Sequence, residues 1–329
     1  MIKSHPLLIV GTGAMASLFA ARLRAVEIPV KMIGSWREGL EALEKNGVRL
    51  LEVDGRKFEY RVQVTSDPQE CSGTELALVL VKSYQTARAA RQLAECLAPQ
   101  GLALTLQNGL DNKAILEDEL GPARVASGVT TMGATLIRPG IVRNGGEGII
   151  SIGDHPRLQP MYSLLKRAGF DVNIVPDTES LVWGKLVVNA AINPLTALLK
   201  VPNGYLLERL ETRELLRALT NETVRVAQAK GIRLPFDRPV EYVEHVARRT
   251  ASNYSSMLND VLRGSPTEID SINGAVVRLG EAWGITALVN LVMWRLVKAL
   301  EPADGAIQDF PPRQNLVERD LSAVAQLIE

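Results

Sequence analysis

The chain has 329 residues, 46% hydrophobic and 22% charged, which is long enough for two separate cores and too apolar for a disordered chain. Lys+Arg and Asp+Glu both number 37, so no global basic field points to nucleic acid or anionic lipid, and any bound anion needs a local site. Two cysteines without CxxC spacing and three scattered histidines suggest no metal centre, and reduced thiols in a cytoplasm are the simplest reading.

The first element is the apolar run Leu7–Val10, which leads into Gly11-Thr12-Gly13-Ala14-Met15-Ala16 and then a helically spaced segment. Strand, glycine turn and helix in that order predict a dinucleotide cradle. Gly11 allows the tight turn, and Gly13 lets backbone N–H groups approach a pyrophosphate. Ala16 stands where the pattern needs only close helix–sheet packing. Lys3 and the apolar run imitate an export signal, but Gly11 and Gly13 interrupt it. No stretch of about eighteen uninterrupted apolar residues follows, so no membrane span is expected.

A second strand, Val30–Gly34, ends in Ser35-Trp36-Arg37. An NAD site would usually carry an acid here, about twenty residues past the glycines. A serine and an arginine suit a 2′-phosphate instead, so NADPH is expected over NADH. Val48–Thr65 alternates around the turn pair Asp54-Gly55 and predicts a hairpin. Leu76–Val81 reads as a buried strand ending at Lys82, followed by a helix over 86–98. Leu102–Leu106 reads as the next strand and ends in Gln107-Asn108-Gly109. Polar residues past the ends of successive strands make Lys82 and Asn108 site candidates. Val125–Thr130, Thr131–Ala134 and Ile141–Ile152 read as later strands of the same domain. Asp171–Val175 closes it, with Pro176-Asp177 as the linker. The expected domains are 1–177, dinucleotide-binding, and 178–329, all-helical.

Helices are predicted over 181–199, 211–230, 240–251, 268–283 and 286–300. In the first, Lys185, Asn189 and Asn193 lie four apart on one face of an otherwise apolar helix. Pro194 would free the carbonyl of Ala190 and kink the helix. An ammonium and two amides on such a helix are costly without a partner. The polar patches 255–260 and 265–270 look odd for loops in a bundle, and Ser265 or Thr267 could cap a helix with Glu268 in its first turn. The tail past Glu301 is faintly amphipathic at Val317, Leu321, Val324 and Ile328, and no function is read there.

With these residues in view, the chain resembles the ketopantoate (2-dehydropantoate) 2-reductase family over residues 7 to about 300. The resemblance rests on GTGAMA at 11–16, VKSYQ at 81–85, QNG at 107–109, TTMGA at 130–134 and PGIV at 139–142. It continues with KLVVNAAINPLTAL at 185–198, PNG at 202–204, SSMLND at 255–260 and TEIDSINGAVV at 267–277. It implies an α/β N-terminal Rossmann-type doubly wound sheet plus an all-α C-terminal domain, with the site in the cleft between them. It further implies NADPH-dependent reduction of a small 2-oxo acid, ketopantoate, to (R)-pantoate in pantothenate and coenzyme A synthesis.

In that resemblance Lys185 looks like the proton donor, and Asn189, Asn193 and Asn203 look like substrate-binding amides. Ser256 is similar to the serine that meets the substrate carboxylate, and Glu268 to the acid facing substrate and nicotinamide ribose. Lys82, Asn108 and Ala134 match positions lining the cofactor, and Asn108 also matches a substrate contact. Three departures are Ala16 for the third glycine, Arg37 or Ser35 at the phosphate-reading position, and Asp111 where many members carry glycine. The remaining alternatives are a related reductase of another 2-oxo acid or imine, and a non-catalytic NADPH sensor. A cytoplasmic homodimer without nucleic-acid or membrane partners is expected.

Overall fold

Strand β1 (Leu7–Val10) is apolar at every position because both of its faces are covered. Leu7 and Ile9 point to one core with Leu18, Phe19 and Leu23, whereas Leu8 and Val10 point to another with Ala89, Leu93 and Leu116. Each fully buried leucine of this kind contributes about 1.5–3 kcal/mol. The structure, a computed structural model, describes residues 6–302. The amphipathic pattern at Val317–Ile328 lies outside the described residues.

After β1 come α1 (Ala14–Ala25), β2 (Val30–Ile33) and α2 (Arg37–Asn46). The hairpin β3 (Val48–Leu51) and β4 (Lys57–Tyr60) follows, then β5 (Gln63–Thr65), β6 (Thr74–Val79) and α3 (Thr86–Cys96). β7 (Leu97–Thr105), α4 (Asn112–Leu120), β8 (Val125–Thr130), β9 (Ala134–Arg138) and β10 (Ile141–Asn144) come next. β11 (Ile149–Gly153), α5 (Gln159–Arg167) and β12 (Asp171–Val175) complete the α/β part. The main sheet runs β12-β11-β8-β7-β6-β1-β2-β5. From β8 to β5 its strands are parallel, with β1 central and the order reversing on either side of it. α1 packs on one face, and α3 and α4 on the other.

The segment 141–152 supplies two strands of the α/β part, divided between two sheets: β10 pairs with β3 and β9 in a separate four-stranded sheet, β4-β3-β10-β9, and β11 joins the main sheet. Glycines 145, 146 and 148 let the chain change sheets; a Cβ on Gly145 would lie 2.8 Å from the Gly133 oxygen.

The helical part consists of α6 (Thr178–Leu199), α7 (Leu210–Ala229), α8 (Pro239–Arg249), α9 (Ser256–Leu262), α10 (Asn273–Ala282) and α11 (Leu288–Lys298). The chain forms two compact units that divide between Val182 and Trp183, within α6. Asp177 Oδ1 accepts from Ser180 N at 2.9 Å and so caps the start of α6. α6 buries Val187, Ala191, Ile192 and Leu195 against Leu216 and Leu219 of α7, Val243 of α8 and Met293 of α11. Its 22 residues have the length and composition of a membrane span, but 67% of the most apolar window is buried inside the protein.

Candidate active site

Strand polarity brings the first group of residues together. Gly11, Gly34, Lys82, Gln107-Asn108 and Thr131 all follow the C-terminal ends of parallel strands, so they share one edge of the sheet. Gly11 has φ +127°, and a Cβ there would meet the Leu80 backbone at 3.2 Å. Gly13 differs: a Cβ there would meet nothing within 4 Å. Gly13 also precedes α1, whose first turn has neither a side-chain cap nor an acid. Unsatisfied N–H groups facing open space fit an anionic pyrophosphate. Thr12 is buried against Gly34, and Ala16 is fully buried against the sheet, while Ala14 and Met15 pack at its edge.

The loops carrying Lys82 and Asn108 are joined through Gln107. Its Nε2 donates to the Val81 carbonyl at 3.1 Å and to Thr86 Oγ1 at 2.8 Å. Thr86 Oγ1 shares its proton between the Ser83 carbonyl and Asn112 Oδ1, each at 2.8 Å, and Asn112 Nδ2 donates to the Asn108 carbonyl at 2.8 Å. Asp111, just before α4, takes φ +72°, a left-handed geometry that explains why glycine suits this position. Arg37 opens α2 and is 89% exposed, with Nε 2.7 Å from Glu41 Oε1. Ser35 beside it is also exposed. Ala134 starts β9, in the smaller sheet.

In the helical unit, α6 carries Lys185, Asn189 and Asn193 along one stripe, with Asn193 buried and the other two half-buried. Burial pushes the Lys185 ammonium pKa down to about 8, and the negative charge of Glu268 works against that fall. Among the described residues, no hydrogen bond commits the Asn189 or Asn193 amides, so both can donate and accept.

The α6 helix continues through Pro194. The missing N–H frees the Ala190 carbonyl, and Asn273 Nδ2 donates to it at 2.9 Å. Asn273 Nδ2 also donates to Asn290 Oδ1, and Asn290 Nδ2 donates to Glu222 Oε2, each at 2.9 Å. The two Glu222 oxygens accept the first N–H groups of α11, from Val289 and Asn290. One turn past Asn193, Thr196 Oγ1 donates to Ser255 Oγ at 2.7 Å, and Ser255 Oγ caps α9 by accepting from Leu258 N. That pair fixes Ser256, the exposed first residue of α9.

Two expectations change here. The patch 255–260 is a capped helix, not a loop. Glu268 does not stand in the first turn of a helix: α10 begins at Asn273, and Glu268 is buried in the turn before it. Thr267 is held from behind instead, its N and Oγ1 donating to Glu301 Oε1 at 2.8 and 2.6 Å. Lys298 bridges Glu301 and Asp270, and Trp294 Nε1 donates to Asp270 at 2.7 Å. Asn203 turns its amide to Thr250 Oγ1 at 2.8 Å, leaving its Oδ1 buried without a partner. Gln107, Asn112, Thr196, Ser255, Asn273, Asn290 and Glu222 were assigned no role from the sequence. A concavity of about 360 Å³, lined by Val224, Ile232 and Phe236, shares no residue with this set. Among the described residues no cluster fits a metal.

Comparison with known proteins follows the same division. The family profile "Ketopantoate reductase PanE/ApbA" matches residues 7–157, and "Ketopantoate reductase PanE/ApbA C terminal" matches residues 177–301. A 2-dehydropantoate 2-reductase of Halobacterium salinarum is 36% identical over 301 residues, covering 90% of this chain and 98% of the relative. A crystal structure of a ketopantoate reductase from Ralstonia eutropha JMP134 matches with TM-score 0.84 and 30% identity, covering 90% and 98% of the two chains. D-mandelate dehydrogenase in a ternary structure with NADH and anilino(oxo)acetate matches with TM-score 0.84 at 23% identity, a likeness of fold, covering 90% and 98% of the two chains.

Proposed function

The chain belongs to the ketopantoate reductase family, and from that membership we propose that it reduces the C2 ketone of 2-dehydropantoate with NADPH, giving (R)-pantoate for pantothenate synthesis. The observation that carries this reading is Lys185, under the electrostatic influence of the buried Glu268, on a helix that also presents two uncommitted amides. When bound, the reduced nicotinamide supplies a hydride to the ketone carbon. Lys185 donates its Nζ proton to the ketone oxygen as negative charge builds there, and solvent reprotonates the amine. A pKa of about 8 keeps most of the lysine protonated near neutrality yet makes it a better acid than an ordinary lysine. Glu268 favours that charged form. Asn189 and Asn193 suit a neutral hydroxylated tail, Ser256 the substrate carboxylate, and Asn203 orders the loop leading to it.

For the cofactor, Gly11 to Ala16 would hold the pyrophosphate, and Lys82, Asn108 and Ala134 would line the cofactor. Preference for the 2′-phosphate rests on Arg37, with Ser35 beside it and no acid ending β2. Binding would exchange the exposed Arg37–Glu41 pair, worth little in water, for a charge-assisted contact. A homodimer is supported by Leu288, Val292 and Leu296, four apart on α11 and 58, 43 and 46% exposed. Light scattering tests the dimer. Buried, reduced Cys71 and Cys96 suit a cytoplasmic enzyme.

The deciding experiment follows NADPH oxidation by absorbance with ketopantoate, using NADH and other 2-oxo acids as controls. Turnover with NADPH and ketopantoate alone is the expected result. Turnover only with another oxo acid would move the substrate, and NADPH binding without any turnover would overturn the enzymatic reading.

A further inference from the structure

Pro194 is an odd residue to keep in the middle of the helix that carries the polar stripe. A proline there sacrifices a backbone hydrogen bond and ordinarily destabilises a helix. The freed carbonyl belongs to Ala190, which lies between Asn189 and Asn193. Its replacement donor comes from far along the chain: Asn273, fully buried, begins α10 just after the turn that holds Glu268.

We propose that Asn273 is a positioning residue, and that Pro194 and Asn273 together form a register pin between the Lys185–Asn193 stripe and the Glu268 turn. An ordinary helix offers no free mid-helix carbonyl, so a neighbour packed on it can slide with little loss. Pro194 exposes one acceptor at one height, and a side chain with two N–H donors bonds it and Asn290 Oδ1 together. Asn290 is itself held by Glu222, whose carboxylate is fixed by the N–H groups opening α11. The pin is therefore anchored at its far end on α7 and α11. The network satisfies both N–H donors of Asn273 and leaves only its Oδ1 without a partner, so sliding the helix would unpair the Ala190 carbonyl and the Asn290 amide oxygen as well. A proton donor and the carboxylate that favours its charged form need such precision, since small misplacements cost rate steeply. The functional part of this inference rests on the reductase reading above.

The test is a double-mutant cycle on the full chain, because Pro194→Ala restores the N–H that can reach the Ala190 carbonyl within the helix. Asn273→Ala alone is expected to lower Tm by roughly 4–10 °C, from the unpaired buried carbonyl. It should also cut kcat on ketopantoate by about 10–100-fold while the KM for NADPH stays put. Adding Pro194→Ala should recover at least half of the Tm loss and part of the kcat. If Asn273→Ala does not fold, Asn273→Asp keeps the volume and loses the donor, and the same cycle applies. Strictly additive effects on Tm, or an Asn273 variant with unchanged kcat, would overturn the pin. If the parent protein turned over no ketopantoate, the reductase reading would fail, while the Tm cycle would still decide whether proline and asparagine are coupled.

Discussion

The two units carry their candidate site residues on different materials. The α/β unit works mainly with backbone: a glycine at φ +127°, a second glycine facing empty space, and an uncapped helix start. The helical unit works with side chains on one helix, and it needs buried hydrogen bonds from α7, α9, α10 and α11 to hold that helix in place. A backbone site is local and is encoded by what is missing, whereas a side-chain site is encoded by partners far away. Substitutions should therefore fail differently in the two units.

The largest effect is expected at Lys185. Lys185→Ala should depress kcat by about 10²–10⁴-fold, the range for a lost general acid, with NADPH affinity unchanged by titration. Lys185→Met should be equally inactive, since it keeps a long side chain on the helix and removes the proton. Tight loss of NADPH in either variant would break the division of labour. The two glycines sharpen it. Gly11→Ala should lower both Tm and cofactor affinity, since its Cβ strikes the Leu80 backbone at a φ that alanine avoids. Gly13→Ala should melt like the parent but raise the KM for NADPH roughly tenfold, about the worth of one charge-assisted contact. If Gly13→Ala instead unfolded the protein, the open space in front of it would have no functional meaning.

A smaller effect is expected at Arg37. Arg37→Ala should weaken NADPH about tenfold and leave NADH nearly untouched, as measured by KM for each. The smallest change concerns pH. Reduction needs the protonated lysine, so kcat/KM for ketopantoate should be flat below pH about 8 and fall about tenfold per unit above it. A flat profile through pH 9 would sink Lys185 as the donor.

Legibility in the sequence follows the same contrast. Strand β1, the glycine turn and α1 are adjacent in the chain, so their pattern predicts both fold and ligand. The Lys185–Asn189–Asn193 stripe was readable because helical period alone aligns it. The partners that position it were not, since Thr196–Ser255, Asn290–Glu222 and Ala190–Asn273 span 59, 68 and 83 residues. Asn273 stood inside a motif that carries the family resemblance, and the carbonyl it serves was predicted to be free; only the fold joins the two. The second sheet was likewise hidden, because β10 pairs with β3 across more than ninety residues.

The clamp of Glu301 on Thr267 has a consequence for trimming the protein. Helix α11 ends at Lys298, and a designer shortening the chain by secondary structure would cut there. That cut would remove the carboxylate that holds the residue before Glu268, although Glu301 lies outside every helix. The shortest chain that keeps its chemistry is thus set by a hydrogen bond, three residues beyond the point where the helical architecture already looks complete.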